Sequence, residues 1–64
     1  MLTVKHVTSE GESTFGAERV QYVPARDGKP ATVLADQMPL TGGTVYVMND
    51  RGSTVAKHVL GTGR

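Results

Sequence analysis

The sequence predicts an all-β fold: a small antiparallel barrel or bent sheet of five to six strands, SH3-like, in one domain spanning residues 1–64. Three observations predict it. The chain runs strand–turn–strand three times, and each turn is closed by a glycine, in Thr8 to Glu12 (TSEGE), Ala25 to Lys29 (ARDGK) and Asn49 to Ser53 (NDRGS). No stretch of about ten residues sustains the 3.6-residue period of an amphipathic helix. Eight glycines and three prolines among 64 residues favour turns over helices. The SH3-like barrel is the nearest common architecture at this length, reached by analogy.

Leu2 to Thr8 reads as the first strand, with Leu2, Val4 and His6 on one face and Thr3, Lys5 and Val7 on the other. Ser9, Glu10 and Gly11 form a turn signal with the glycine in the left-handed position. Glu12 to Phe15 returns as a short strand, and Gly16 marks a bulge or sharp bend. Ala17 to Val23 reads as a strand that Pro24 ends, because Val20, Tyr22 and Val23 outweigh the helix-friendly Ala17-Glu18-Arg19. Ala31 to Asp36 is the next strand, with Val33 on one face and Thr32 and Leu34 on the other. Gln37 to Gly43 reads as a crossing loop in which Met38 and Leu40 plug an end of the core. Gly61 to Arg64 reads as a frayed tail.

The organising stretch is Gly43 to Leu60, a complete hairpin around Asn49, Asp50, Arg51 and Gly52. Asn and Asp favour the start of a type I turn, and Gly52 takes the positive φ that closes a three-residue loop with a bulge. That turn sets Asn49 opposite Ser53 and Met48 opposite Thr54. An unbroken register beyond it sets Val47 opposite Val55, Tyr46 opposite Ala56 and Val45 opposite Lys57. One face then presents Val45, Val47, Val55 and Val59, and the other Tyr46, Met48, Ala56 and Leu60. Both faces are apolar, so one builds the core and the other needs a cover. The expectation is a homo-oligomer, most simply a two-fold dimer, with Tyr46 or Met48 in the contact. A domain this small buries only about 60% of its unfolded surface, which points the same way.

Composition narrows the function classes. The formal net charge is +1, and the seven basic residues are scattered among six acids, so nucleic-acid binding is not favoured. No apolar run approaches the ~20 residues of a membrane span, and the opening Met1 to Val7 lacks the apolar core of a signal peptide. With no cysteine there is no disulfide and no thiolate metal site.

The candidate chemistry is sparse. In a closed barrel the first and last strands are neighbours, which would bring His6 and His58 together, but two imidazoles fall short of the three or four ligands of a zinc site. The acids Glu10, Glu12, Glu18, Asp27, Asp36 and Asp50 lie mostly in or beside turns and serve turn chemistry and solubility. Ser9, Ser13 and Ser53 lack a nucleophile motif. Thr41 to Thr44 is glycine-rich but delivers no helix N-terminus or lysine for a phosphate, and reads as a flexible connection. Tyr22 and Tyr46 are either core pieces with the hydroxyl at the rim or interface anchors. Tyr46, Met48 and Tyr22 are therefore the candidate interface residues. No catalytic, cofactor or metal site is expected.

The segment Val45 to Leu60 (VYVMNDRGSTVAKHVL) resembles the ending of short phage and prophage proteins of unassigned function, which run VYVMN, a glycine turn, then TVAK. The opening Leu2 to Phe15 resembles their opening, a VKHVT strand, a glycine turn and a second strand. The resemblance covers about half the chain, at its two ends. It implies a phage gene and carries over no catalytic residue. The expected function is a small non-enzymatic phage accessory protein that binds in the host cytoplasm, either inhibiting a host protein or sequestering a small ligand in counter-defence. The alternative is a minor structural component of the virion, in its head or tail.

Overall fold

The computed structural model describes residues 1–61. Every regular element in it is a strand: β1 (Leu2–Thr8), β2 (Gly11–Ala17), β3 (Val20–Val23), β4 (Thr32–Ala35), β5 (Met38–Thr41), β6 (Gly43–Met48) and β7 (Thr54–Gly61). Two antiparallel sheets form, one in the order β2-β1-β6-β7 and one in the order β3-β4-β5. The all-β expectation holds, with seven strands in place of five or six. The two sheets do not close into a barrel. They face each other across a small core, and the chain passes between them at two corners, Glu18–Arg19 and Gly42.

The core follows from strand alternation. Val4, Val45, Val47, Ala17 and Leu60 come from the larger sheet, and Val33, Ala35, Leu40 and the adjacent Ala31 from the smaller. Leu2, Phe15, Val20 and Ala56 pack around this cluster, half-buried. The side chains are small, so each valine methyl lost would leave a cavity that the neighbours cannot fill. On β1 the predicted division stands: Val4 is fully buried and pairs with Phe15 on β2 and Val47 on β6.

Several local expectations are revised. β2 pairs with β1 in unbroken register from Gly11 to Ala17, so Gly16 is neither bulged nor bent. A Cβ there would meet the Met1 sulfur at 2.8 Å, so the glycine makes room for that side chain. Residues 37–43 are not a crossing loop. Asp36 and Gln37 form a two-residue turn, both with positive φ (50° and 71°), and β5 pairs with β4 from Ala35–Met38 to Thr32–Thr41. Leu40 is buried as expected, but Met38 is exposed. Pro39 fits because β5 is an edge strand, where the missing N–H is not needed by a neighbour. Ala17 leaves the strand predicted over 17–23 and ends β2 instead, and Glu18–Arg19 turns the corner into β3. Gly61 belongs to β7, opposite Gly43, and residues 62–64 of the predicted tail lie outside the described residues.

The β6–β7 hairpin forms with the predicted turn. Asn49 N–H donates to the Ser53 carbonyl (2.9 Å) and Gly52 N–H to the Asn49 carbonyl (3.0 Å), with Gly52 at φ 82°. The Asn49 side-chain oxygen accepts from Arg51 N–H (2.9 Å) and Ser53 N–H (3.0 Å), which the sequence did not declare. Met48 lies opposite Thr54, as expected. Beyond that pair the register shifts, so Val47 faces Ala56, Tyr46 faces Lys57 and Val45 faces His58. Val55 is the extra residue of a bulge, and every later residue of β7 falls on the face opposite to the one expected.

A candidate interaction surface on the outer sheet face

The bulge sorts the hairpin. Ala56 and His58 join Val45 and Val47 on the inner face, and Lys57 and Val59 join Tyr46 and Thr44 on the outer one. Across the larger sheet the outer face reads in cross-strand rows. Thr14, Lys5, Tyr46 and Lys57 form the middle row, flanked by Gly16, Thr3, Met48 and Thr54 on one side and by Glu12, Val7, Thr44 and Val59 on the other. Tyr46 and Met48 thus sit together near the centre, half-buried, because residues two apart on a strand share a face. A shallow depression beside them is lined by Lys5, Val7, Glu12, Tyr46, Met48 and Thr54.

The charges on this face are organised around the tyrosine. The Lys57 ammonium lies 5.8 Å from the Tyr46 ring centroid, within cation–π range. Lys5 Nζ lies 3.6 Å from a Glu12 carboxylate oxygen, an exposed ion pair of small energetic worth. Two ammonium groups and one carboxylate leave the face with a small positive excess around an apolar centre. Val59 on the same face is 66% exposed, and Val55 on the bulge is 57% exposed.

Tyr22 is not part of this surface. It pairs opposite Val33 on the inner side of the smaller sheet, and its ring stacks on His58 of β7 at 4.5 Å with planes 9° apart. That stack bridges the two sheets at the rim. His58 and His6 do not meet. β6 runs between β1 and β7, so Val45 separates the two in one cross-strand row. His6 instead uses Nε2–H to donate to the Gly42 carbonyl (2.9 Å), which fixes its tautomer and holds the corner between the sheets. Among the described residues no group of three or more His, Cys, Asp or Glu is placed to hold a metal ion. The described residues include no helix long and apolar enough to cross a membrane.

Sequence reasoning read Asp36 only as a turn acid and missed its bonds across the corner. Its carboxylate accepts from Glu18 N–H (3.1 and 3.0 Å to the two oxygens) and from Arg19 N–H (2.8 Å), and its own N–H donates to the Arg19 carbonyl (2.9 Å). The Glu18 N–H first, then the Arg19 N–H, hold this carboxyl below its ordinary value. The groove beside it is lined by Glu18, Arg19, Gln21, Leu34, Asp36 and Gln37. Both Asp36 carboxylate oxygens are already engaged, so Asp36 is a clamp across the corner. The signal was available as two short apolar runs, Thr32–Ala35 and Met38–Thr41, separated by two residues led by an Asp.

No protein-family model, no characterised protein and no solved structure matches the chain.

Proposed function

We propose that this chain is a non-enzymatic binding protein whose working surface is the outer face of the larger sheet around Tyr46 and Met48. Its wording in common with phage proteins adds the setting: a phage accessory factor in the host cytoplasm that occupies a host protein in counter-defence. One observation carries the reading. A Tyr and a Met lie side by side at the centre of the larger sheet's outer face, half-buried and outside the core cluster that joins the two sheets. Tyr and Met are enriched in protein interfaces: Tyr supplies a large area at small entropic cost, and Met an unbranched side chain that adapts to the partner's shape. The surrounding Lys5 and Lys57, against the single Glu12, match a partner patch that is apolar at its centre and bordered by carboxylates.

The test compares tagged wild-type protein with Tyr46→Glu as baits in infected host cells, followed by native mass measurement. The wild type is expected to retain a partner at fixed stoichiometry. Tyr46→Glu is expected to lose it while melting as the wild type does, because Tyr46 lies outside the core cluster. Equal recovery by both baits would refute the surface. Recovery of the chain at constant copy number in purified virions would favour the alternative, a minor head or tail component.

A further inference from the structure

Among the described residues four strands have an unpaired edge: β2 and β7 in the larger sheet, β3 and β5 in the smaller. Such edges template pairing with another chain, and natural proteins blunt them. β5 has only four residues and carries Pro39; β3 has four residues and is followed by Pro24. β7 is long, but two register shifts break it and Lys57 sits within it. β2 has none of these devices. Its seven residues hold unbroken register with β1, contain no proline and no lysine, and are exposed from Gly11 to Thr14 and at Gly16.

The hydrogen-bond parity of that edge follows from the hairpin turn. Asn49 bonds toward β7 through its backbone, so by alternation Val47 and Val45 do too, and Met48, Tyr46 and Thr44 bond toward β1. Their partners Thr3, Lys5 and Val7 are thereby used toward β6, which leaves Leu2, Val4, His6 and Thr8 bonding toward β2. On β2, Gly11, Ser13, Phe15 and Ala17 return those bonds. Glu12, Thr14 and Gly16 therefore direct their N–H and C=O groups outward.

We propose that β2 is a dimerisation edge: a second copy of this chain adds its own β2 antiparallel across a two-fold axis at Thr14, merging the two larger sheets into one. The edge is complementary to itself in three respects. Thr14 falls opposite the partner's Thr14, and Glu12 opposite the partner's Gly16, so every outward-directed residue meets another and each such pair exchanges two N–H···O bonds. No carboxylate faces a carboxylate, since Glu12 meets a glycine. Phe15, half-buried on the inner face, falls opposite the partner's Ser13 and diagonal to the partner's Phe15, a separation that aromatic rings span. The two phenyl rings then cover each other beside the axis. A two-fold through an antiparallel strand pair stands normal to the sheet, so both Tyr46 faces lie on one side of the merged sheet and remain open. A face-to-face dimer would instead bury Lys5 and Lys57 of both copies against two Glu12 carboxylates.

Sedimentation equilibrium and amide hydrogen exchange test this. The wild type is expected to dimerise reversibly at high micromolar concentration, with exchange at Glu12, Thr14 and Gly16 slowing as the dimer fills. Thr14→Pro removes the two donors at the axis and is expected to raise the dissociation constant about tenfold or more; Thr14→Lys sets two ammonium groups opposite each other and is expected to raise it about two- to fivefold. Neither substitution takes a hydrogen bond from the monomer, and Thr14→Lys retains the backbone donor should proline disturb folding. A wild type that stays monomeric overturns the proposal. So does a dimer whose Glu12, Thr14 and Gly16 amides exchange as in dilute protein, or one that Tyr46→Glu dissociates and Thr14→Lys does not. Partner capture is read separately: Tyr46→Glu is expected to lose it while dimerising as the wild type does.

Discussion

At the scale of single residues, backbone conformation and one carboxylate govern the turns. Gly52 sits at φ 82° with no heavy atom near the place of a Cβ, so the cost of a side chain there is conformational and not steric. Gly52→Val is expected to lose about 1–2 kcal/mol, since a β-branched residue resists positive φ; a chemical denaturation midpoint equal to that of the wild type would contradict the turn. Gly43 differs: besides its φ of 66°, a Cβ would fall 2.0 Å from the Val7 carbonyl oxygen, so there the packing itself excludes a side chain. Asp36 adds a pH dependence. Its folded carboxyl is held below the ordinary value of 3.8 by the Glu18 and Arg19 N–H groups. A depressed folded value means stability present above about pH 3.8 and lost as pH falls through the folded value. Thermal melts between about pH 2 and 5 should show the wild type falling below about pH 4, with Asp36→Asn flatter and the two converging at the acid end. Parallel curves would remove Asp36 from the corner.

At the scale of elements, register is the quantity that matters. A single extra residue in β7 decides which side chains reach the core. Without Val55 the pairs Met48–Thr54 and Val47–Ala56 become consecutive and every later pair is retained. Deletion of Val55 is therefore expected to leave a folded protein with Leu60 still buried. Deletion of Lys57 would bring His58 opposite Tyr46 and Val59 opposite Val45, which exchanges the faces. Paired amide-exchange profiles of the two deletions check this: core-like protection in the first and its loss across β7 in the second. The bulge was foreseen at the turn and not at Val55, because Val55 is a good strand residue and nothing local marks it as unpaired. The β4–β5 hairpin was misread for a related reason. Its turn is Asp36-Gln37, where a glycine at the second position would have announced the positive φ, and Pro39 argued against a strand without revealing that the strand is an edge.

At the scale of the whole molecule, two open sheets stand in place of the expected barrel or single bent sheet. The contacts that join them are few and legible: the mixed core around Val33 and Val45, the His6–Gly42 and Asp36–Arg19 bonds at the corners, and the Tyr22–His58 stack at the rim. Among the described residues the stack is the one aromatic link between the sheets, so its coupling reports their docking. A double-mutant cycle with Tyr22→Leu and His58→Leu is expected to give about 0.5–1.5 kcal/mol of interaction energy. Additive losses would mean that the two rings do not work together. In a chain with so small a core this is a sizeable part of total stability.

The sequence by itself determined the all-β class, every strand but β5, three of the four hairpin turns, the division of β1 and β4 into two faces, and Tyr46 and Met48 as neighbours on one face. These are local properties: alternation has a period of two, and turn residues act over four positions. Tertiary structure alone decided that β6 separates β1 from β7, that His6 and His58 are kept apart, that Tyr22 bridges the sheets, and that Asp36 ties one corner. Those outcomes depend on which strands pair and where a bulge falls, and both are settled by the burial of valines far apart in the chain. No local window carries that information, because the free energy that selects the register is released only when the two sheets close on the same core.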